Sequence, residues 1–114
     1  MSVSEKAKSR ARKIQRERAR RIRTAILNYF GNCCACCGES HKEFLTVDHK
    51  KGDGAEQRRQ HGWGSTFYRW LWKRIKEDGE KVAKDFRLLC FNCNWCWGSL
   101  GYCVHEDDLT PRRK

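Results

Sequence analysis

Phe86-Arg87-Leu88-Leu89-Cys90-Phe91-Asn92-Cys93-Asn94 decides the reading of this chain, because an apolar strand runs straight into a Cys-x2-Cys knuckle. Upstream, Cys33-Cys34-Ala35-Cys36-Cys37-Gly38 supplies a second knuckle. Two knuckles present four thiolates, the ligand set of a structural tetrahedral Zn²⁺. Spacing alone leaves the upstream register open, since Cys33/Cys36 and Cys34/Cys37 both fit. Gly38 favours Cys34 and Cys37, because a knuckle commonly needs a residue there that tolerates a left-handed backbone. The expected zinc set is therefore Cys34, Cys37, Cys90 and Cys93. Cys96, Cys103 and His105 could form part of a second site, but their spacing is a weak signal and core packing is the preferred reading. About fifty residues separate the knuckles, so a sizeable insertion lies between them.

The rest of the composition agrees with a stapled small domain. The chain has 114 residues, enough for one domain, and only 39% of them are apolar. A core of that size commonly needs a metal or disulfides. The N-terminus enters its arginines without an apolar stretch, so the expectation is no secretory signal, an intracellular reducing compartment and metal-bound cysteines. No apolar run is long enough to span a membrane. The net charge is +11, and ten Lys or Arg against two Glu fall in residues 1–31. Such a field attracts polyanions, of which nucleic acid is the commonest in a cell. A solubilising arm is the plainer alternative. An organellar transit peptide fits less well, because the arginines continue into a segment that reads as structural.

Residues 5–30 lack Gly and Pro and read as a helix, basic and solvated in its first half. Its second half, with Ile22, Ala25, Ile26, Tyr29 and Phe30, is bulky enough to dock on a core. Gly31-Asn32 ends it. Glu43 to His49 reads as a strand, and Lys50 to Gly64, with four of the nine glycines, as a mobile basic loop. Ser65 can cap a helix whose apolar face is Tyr68, Leu71, Trp72 and Ile75, and Gly79 closes that helix. After Cys93 a short helix is expected before the break at Gly98 and Gly101. Residues 107–114 read as a polar tail.

Asp48-His49 falls where a strand meets a glycine-rich segment, a good place to expose charge. Asp offers a hard oxygen to Mg²⁺, and His accepts a proton near neutral pH. The succession of Cys-x2-Cys, Phe44-Leu45-Thr46-Val47-Asp48-His49, an insertion, and Leu88 to Asn94 resembles the HNH endonuclease family over about residues 30–105. The resemblance is nearest to small phage-type members with a Phe-Tyr-Arg-Trp-Leu helix between the halves, here at 67–71. It implies an α+β fold, a zinc-stapled ββα-metal core that carries a long basic N-terminal helix (1–31) on a nuclease domain (32–106). It implies His49 as general base, with Asp48 and Asn94 holding one catalytic Mg²⁺ or Mn²⁺. Many members have Asn five residues before the third zinc cysteine, orienting the base. Asp85 stands there instead, so either Asp85 or a backbone carbonyl would orient His49.

The implied activity is metal-dependent hydrolysis of DNA, double-stranded, alone or within phage or repair machinery. Phosphate contacts are expected from Arg16, Arg20, Arg23, Lys50, Lys51, Arg58, Arg59, Arg69, Lys73 and Arg74. Trp63 is the best base-stacking candidate, Trp72 reads as core, and His61 as solvated. The main alternative is a zinc-stabilised DNA- or RNA-binding protein without catalysis. A junction-resolving nuclease also resembles residues 87–94, but the long insertion weighs against it.

Overall fold

Two strands, β1 (Leu45–His49) and β2 (Phe86–Cys90), pair antiparallel with Leu45 opposite Cys90 and His49 opposite Phe86. In this computed structural model residues 2–106 are described, and the expected polar tail, 107–114, lies outside them. The described residues form a small α+β fold, in which five α-helices surround this two-stranded sheet. The helices are α1 (Val3–Tyr29), α2 (Gly54–His61), α3 (Gly64–Asp78), α4 (Glu80–Ala83) and α5 (Phe91–Leu100). None of them is long and apolar enough to cross a membrane.

The basic N-terminal segment folds as expected and begins two residues earlier. Ser2 and Glu5 make a capping box, each amide donating to the other's side chain at 3.1 Å. Such a box satisfies two amides that the first helical turn leaves without partners. The far end of α1 docks most deeply, through the buried Ile26 and Leu27, and its middle, at Gln15 to Ala19, flanks α3 across a groove. The remainder projects, which stretches the molecule to 61 × 29 × 24 Å. At about 1.5 Å per residue, the 27 residues of α1 account for most of the long axis.

The sheet joins two unlike halves of the core. Around its Leu45/Cys90 end, Leu27, Leu88 and Leu89 pack with Cys34, Cys90, Cys93, Cys96 and Cys103. Around its His49/Phe86 end, Phe86 packs with Ile26 and with Phe67, Leu71 and Ile75 of α3. Those three α3 residues recur every four positions and therefore share one helical face. Tyr68 and Trp72 border that face as half-buried residues, so Phe67 belongs in the buried set that the sequence reading assigned to Tyr68.

Three local expectations are corrected. The glycine-rich stretch 50–64 is not a continuous loop, since Ala55 to Gln60 are good helix formers and the glycines only bracket α2. Ser65 does not cap α3, which starts at Gly64 and has no side-chain cap. The helix expected after Cys93 begins instead at Phe91, because Cys90 caps it: its sulfur accepts the Cys93 amide at 3.5 Å.

Candidate metal centre and active-site cleft

The first group is built from two turns brought together by β2. The upstream turn is tied to that strand by the Ala35 amide, which donates to the Leu88 carbonyl at 2.8 Å. Within it the Gly38 amide donates to the Cys34 carbonyl at 3.0 Å. Gly38 is left-handed at φ 81°, as its position after the knuckle requires. The sulfurs of Cys34, Cys37, Cys90 and Cys93 all lie within 4.8 Å of one another, and Cys33 points to solvent. Packing thus chooses the Cys34/Cys37 register. The amides of Cys37 and Cys93 donate to the sulfurs of Cys34 and Cys90, both at 3.5 Å. Such outer bonds orient thiolates toward a metal.

Cys103 is buried in the core, as the sequence reading preferred, and a second group also includes it with His105. Cys36, Cys93, Cys103 and His105 also converge with their donor atoms within 4.8 Å. Cys96 belongs to neither group and is packed in the core. Burial pushes the Cys36 and Cys37 thiols up to about 11, with the Cys103 and Cys34 sulfurs beside them adding to the shift. Burial also raises Cys93. At Cys34 burial acts in the same direction, but backbone hydrogen bonds, chiefly from the Cys37 amide, bring it down to about 7. A cation among these sulfurs would displace the protons that burial favours. The Cys/His cluster can therefore hold a metal.

Farther along the sheet, Asp48, His49 and Asn94 line one cleft of about 300 Å³ with Gly52, Gly54 and Arg58. The His49 ring sits against Phe67 and Phe86, each with its centroid 5.1 Å away. Its Nε2 is buried and has no hydrogen-bond partner among the described residues. Burial lowers the His49 pKa, and nearby Arg58 adds to the shift against the opposing pull of Asp53. The ring is therefore neutral, and able to accept a proton, at neutral pH. Gly54 makes the space for it, since a Cβ there would come within 3.2 Å of His49 Nδ1.

Asn94 enters from the first turn of α5 and its orientation follows from Thr46. The Thr46 hydroxyl donates to the Leu89 carbonyl at 2.9 Å, so its oxygen must accept from Asn94 Nδ2 at 2.7 Å. That leaves Asn94 Oδ1 free of hydrogen bonds among the described residues. Asp48 is held by Arg87, whose Nε donates to Oδ2 at 2.8 Å. Arg87 in turn lies 5.0 Å from the centre of the Trp97 ring.

Asp85 departs from the expected role. Its carboxylate lies 3.7 Å from Lys51 Nζ, its carbonyl accepts from the Lys50 amide, and no hydrogen bond connects it to His49. Orientation of His49 falls instead to the aromatic rings and to Gly54.

The basic residues divide into two kinds. Arg16 and Arg69 line a groove of about 180 Å³ between α1 and α3, beside Gln15 and Ser65. Arg20, Lys50 and Lys73 are exposed. Arg23 is a structural clamp rather than a free phosphate contact, since it donates to the carbonyls of Lys42 at 2.6 Å and Leu45 at 3.0 Å. Arg59 pairs with Glu56, and Arg74 with Glu77 and Asp78. Arg58 lies 4.7 Å from the centre of the exposed Trp63 ring and also faces the His49 cleft. His61 is stacked on Trp70 with centroids 3.7 Å apart, which corrects its reading as a solvated side chain. Nothing in the composition of the 50–64 stretch pointed to that contact.

Compared with known proteins, the chain matches no family model, no curated protein and no solved structure.

Proposed function

We propose that this protein is a single-metal endonuclease of the HNH kind, acting on DNA. The observation that carries the proposal is His49, whose buried Nε2 is unpartnered among the described residues, on a cleft shared with Asp48 and Asn94. A buried nitrogen without a partner is rare in a folded protein and commonly marks a place where water or substrate belongs. The free oxygens of Asp48 and Asn94 are the hard donors a divalent ion prefers, and one carboxylate with one amide suits a single ion. When bound there, Mg²⁺ or Mn²⁺ would offset charge on the scissile phosphate and the leaving oxygen.

The chain's own groups do the remaining work. His49 takes the proton of the attacking water. Its apolar collar of Phe67 and Phe86 keeps the ring neutral for that purpose. Arg87 aims the Asp48 carboxylate, and Thr46 aims the Asn94 amide. Arg58, at the cleft wall, supplies positive charge beside the phosphate path. At the other end of the sheet, Cys34, Cys37, Cys90 and Cys93 fit a structural Zn²⁺, which suits soft thiolates rather than the oxygens of the cleft. The groove with Arg16 and Arg69 is suited to the nucleic-acid backbone.

Plasmid nicking with and without added Mg²⁺ or Mn²⁺ tests the reading. Cutting that needs the added ion and disappears in His49→Ala is expected. Equal nicking by the two proteins would reject His49 as the base. A second reading, zinc-stabilised binding without catalysis, is favoured by the engagement of Asp48 with Arg87 and of the Asp85 carboxylate with Lys51 rather than His49. DNA binding without any ion-dependent nicking would select it.

A further inference from the structure

We propose that the cysteine-rich end of the molecule binds two zinc ions, not one, with the Cys93 thiolate bridging them. The proposal rests on the zinc reading of Cys34, Cys37, Cys90 and Cys93, and adds Cys36, Cys103 and His105 as ligands of a second ion.

Two tetrahedral ions require eight donor positions. Seven side chains supply all eight if one sulfur is shared, and Cys93 is the one residue common to both convergent groups. The distances suit shared coordination. With Zn–S near 2.3 Å and Zn–N near 2.0–2.1 Å, neighbouring donors on one tetrahedral ion stand about 3.5–3.8 Å apart. Cys37 and Cys90 are 3.7 Å apart in the first group. In the second, Cys36 and Cys103 are 3.4 Å apart, and Cys36 is 3.7 Å from His105 Nδ1. The same Nδ1 lies 3.3 Å from the Cys93 sulfur and 3.1 Å from that of Cys103. These spacings straddle or fall slightly inside the coordinated values, as expected for donors drawn toward a common centre.

Ordinary packing does not explain His105. A neutral imidazole has one N–H at most to give through Nδ1, yet three sulfurs surround that single atom. A metal at their centre uses all four groups at once. Six sulfurs gathered in one place can all ionise only with cations between them, because as thiolates they repel one another. Two Zn²⁺ offset four of those six charges, whereas one offsets two. Helix α5 adds a favourable field, since both Cys90 and Cys93 lie at its N-terminus.

Architecturally, the second ion would fasten the segment after α5 to the upstream turn. Cys103 and His105 follow the helix end at Gly101, and Cys36 belongs to the turn before β1. A cross-link between these stretches closes the cysteine half on the side that the first ion does not reach.

The test is the metal content of the purified full chain, measured by elemental analysis against protein concentration, together with the double variant Cys103→Ser/His105→Ala. Two zinc ions per chain are expected, falling to one in the double variant while far-UV circular dichroism keeps its helical signal. Replacement by ¹¹³Cd should then give two resonances split by coupling through the shared sulfur. One zinc in both proteins would overturn the second site. No zinc in either would overturn the zinc reading on which it rests. Two ions without ¹¹³Cd–¹¹³Cd coupling would overturn the bridge. An intact mass lower by two hydrogens, with one zinc, would replace the second ion by a Cys36–Cys103 disulfide. None of these readouts involves nicking, so the result is independent of the endonuclease proposal.

Discussion

The two ends of the β1–β2 sheet are stabilised by different physics. At the Leu45/Cys90 end, five of the nine buried residues are cysteines, small side chains that bury little apolar area. At the His49/Phe86 end, the buried residues are aromatic or branched aliphatic and interlock through every fourth position of α3. One half offers donors for coordination and the other excludes water. The candidate active site lies where they meet, because His49 leans on the aromatic half while Asn94 comes from the helix that the cysteine half caps. What this teaches is that the cleft has no independent support: losing either half displaces one of its residues.

The largest effect should come from the cysteine half. Structural zinc contributes roughly 10–16 kcal/mol of apparent binding energy, comparable to or above the about 5–15 kcal/mol stability of a whole domain. Stripping the metal with a strong zinc chelator should abolish the cooperative thermal transition, and added Zn²⁺ should restore it. A transition that survives chelation unchanged would remove the distinction between the two halves.

Next in size is the chemistry at the junction. His49→Ala should reduce ion-dependent nicking by about 10²–10⁴-fold, with zinc content and circular dichroism unaltered. If the variant lost zinc as well, the two halves would be more tightly coupled than their packing suggests.

The aromatic half offers the converse perturbation. Leu71 is wholly buried, so Leu71→Ala should cost about 2–5 kcal/mol in denaturant unfolding while metal binding at the far end persists. Arg23→Ala and Arg16→Ala separate clamp from phosphate contact. The first loses two bonds to backbone carbonyls, a cost of about 1–3 kcal/mol in stability. The second should leave stability within about 0.5 kcal/mol and weaken DNA binding in a salt-dependent way.

The smallest effect belongs to the exposed pair of His41 and Glu39, 2.9 Å apart. The Glu39 carboxylate raises the His41 pKa through that hydrogen bond and its charge. A raised folded value means that the associated stability is present below about pH 6.5, the unfolded value, and is lost as pH rises through the folded one. Titration by NMR should show His41 protonating above its ordinary value, and Glu39→Gln should return it there.

Much of this architecture was legible in residue order. Regular helical spacing marked the docking end of α1 and the face of α3, and strands were visible as short apolar runs ending at Asp48-His49 and at Cys90. The Cys-x2-Cys pairs located the cysteine cluster, and Gly38 favoured the upstream pair that converges with Cys90 and Cys93. These features are local: each follows from backbone periodicity, a left-handed turn or the propensity of a few neighbouring residues. Helix α2 was missed because bracketing glycines outweighed the helix formers between them.

What only the tertiary structure decided are the partnerships between distant side chains. No local pattern assigns Arg23 to the carbonyls of Lys42 and Leu45, Asp85 to Lys51, or His61 to the face of Trp70. Nor could spacing sort four adjacent cysteines. Successive residues of a tight turn point in different directions, so Cys34 and Cys37 face one group while Cys36, between them, faces Cys103 and His105 nearly seventy residues away. The same sequence that announced a cysteine cluster could not count its converging donors, because that count depends on where two chain segments cross.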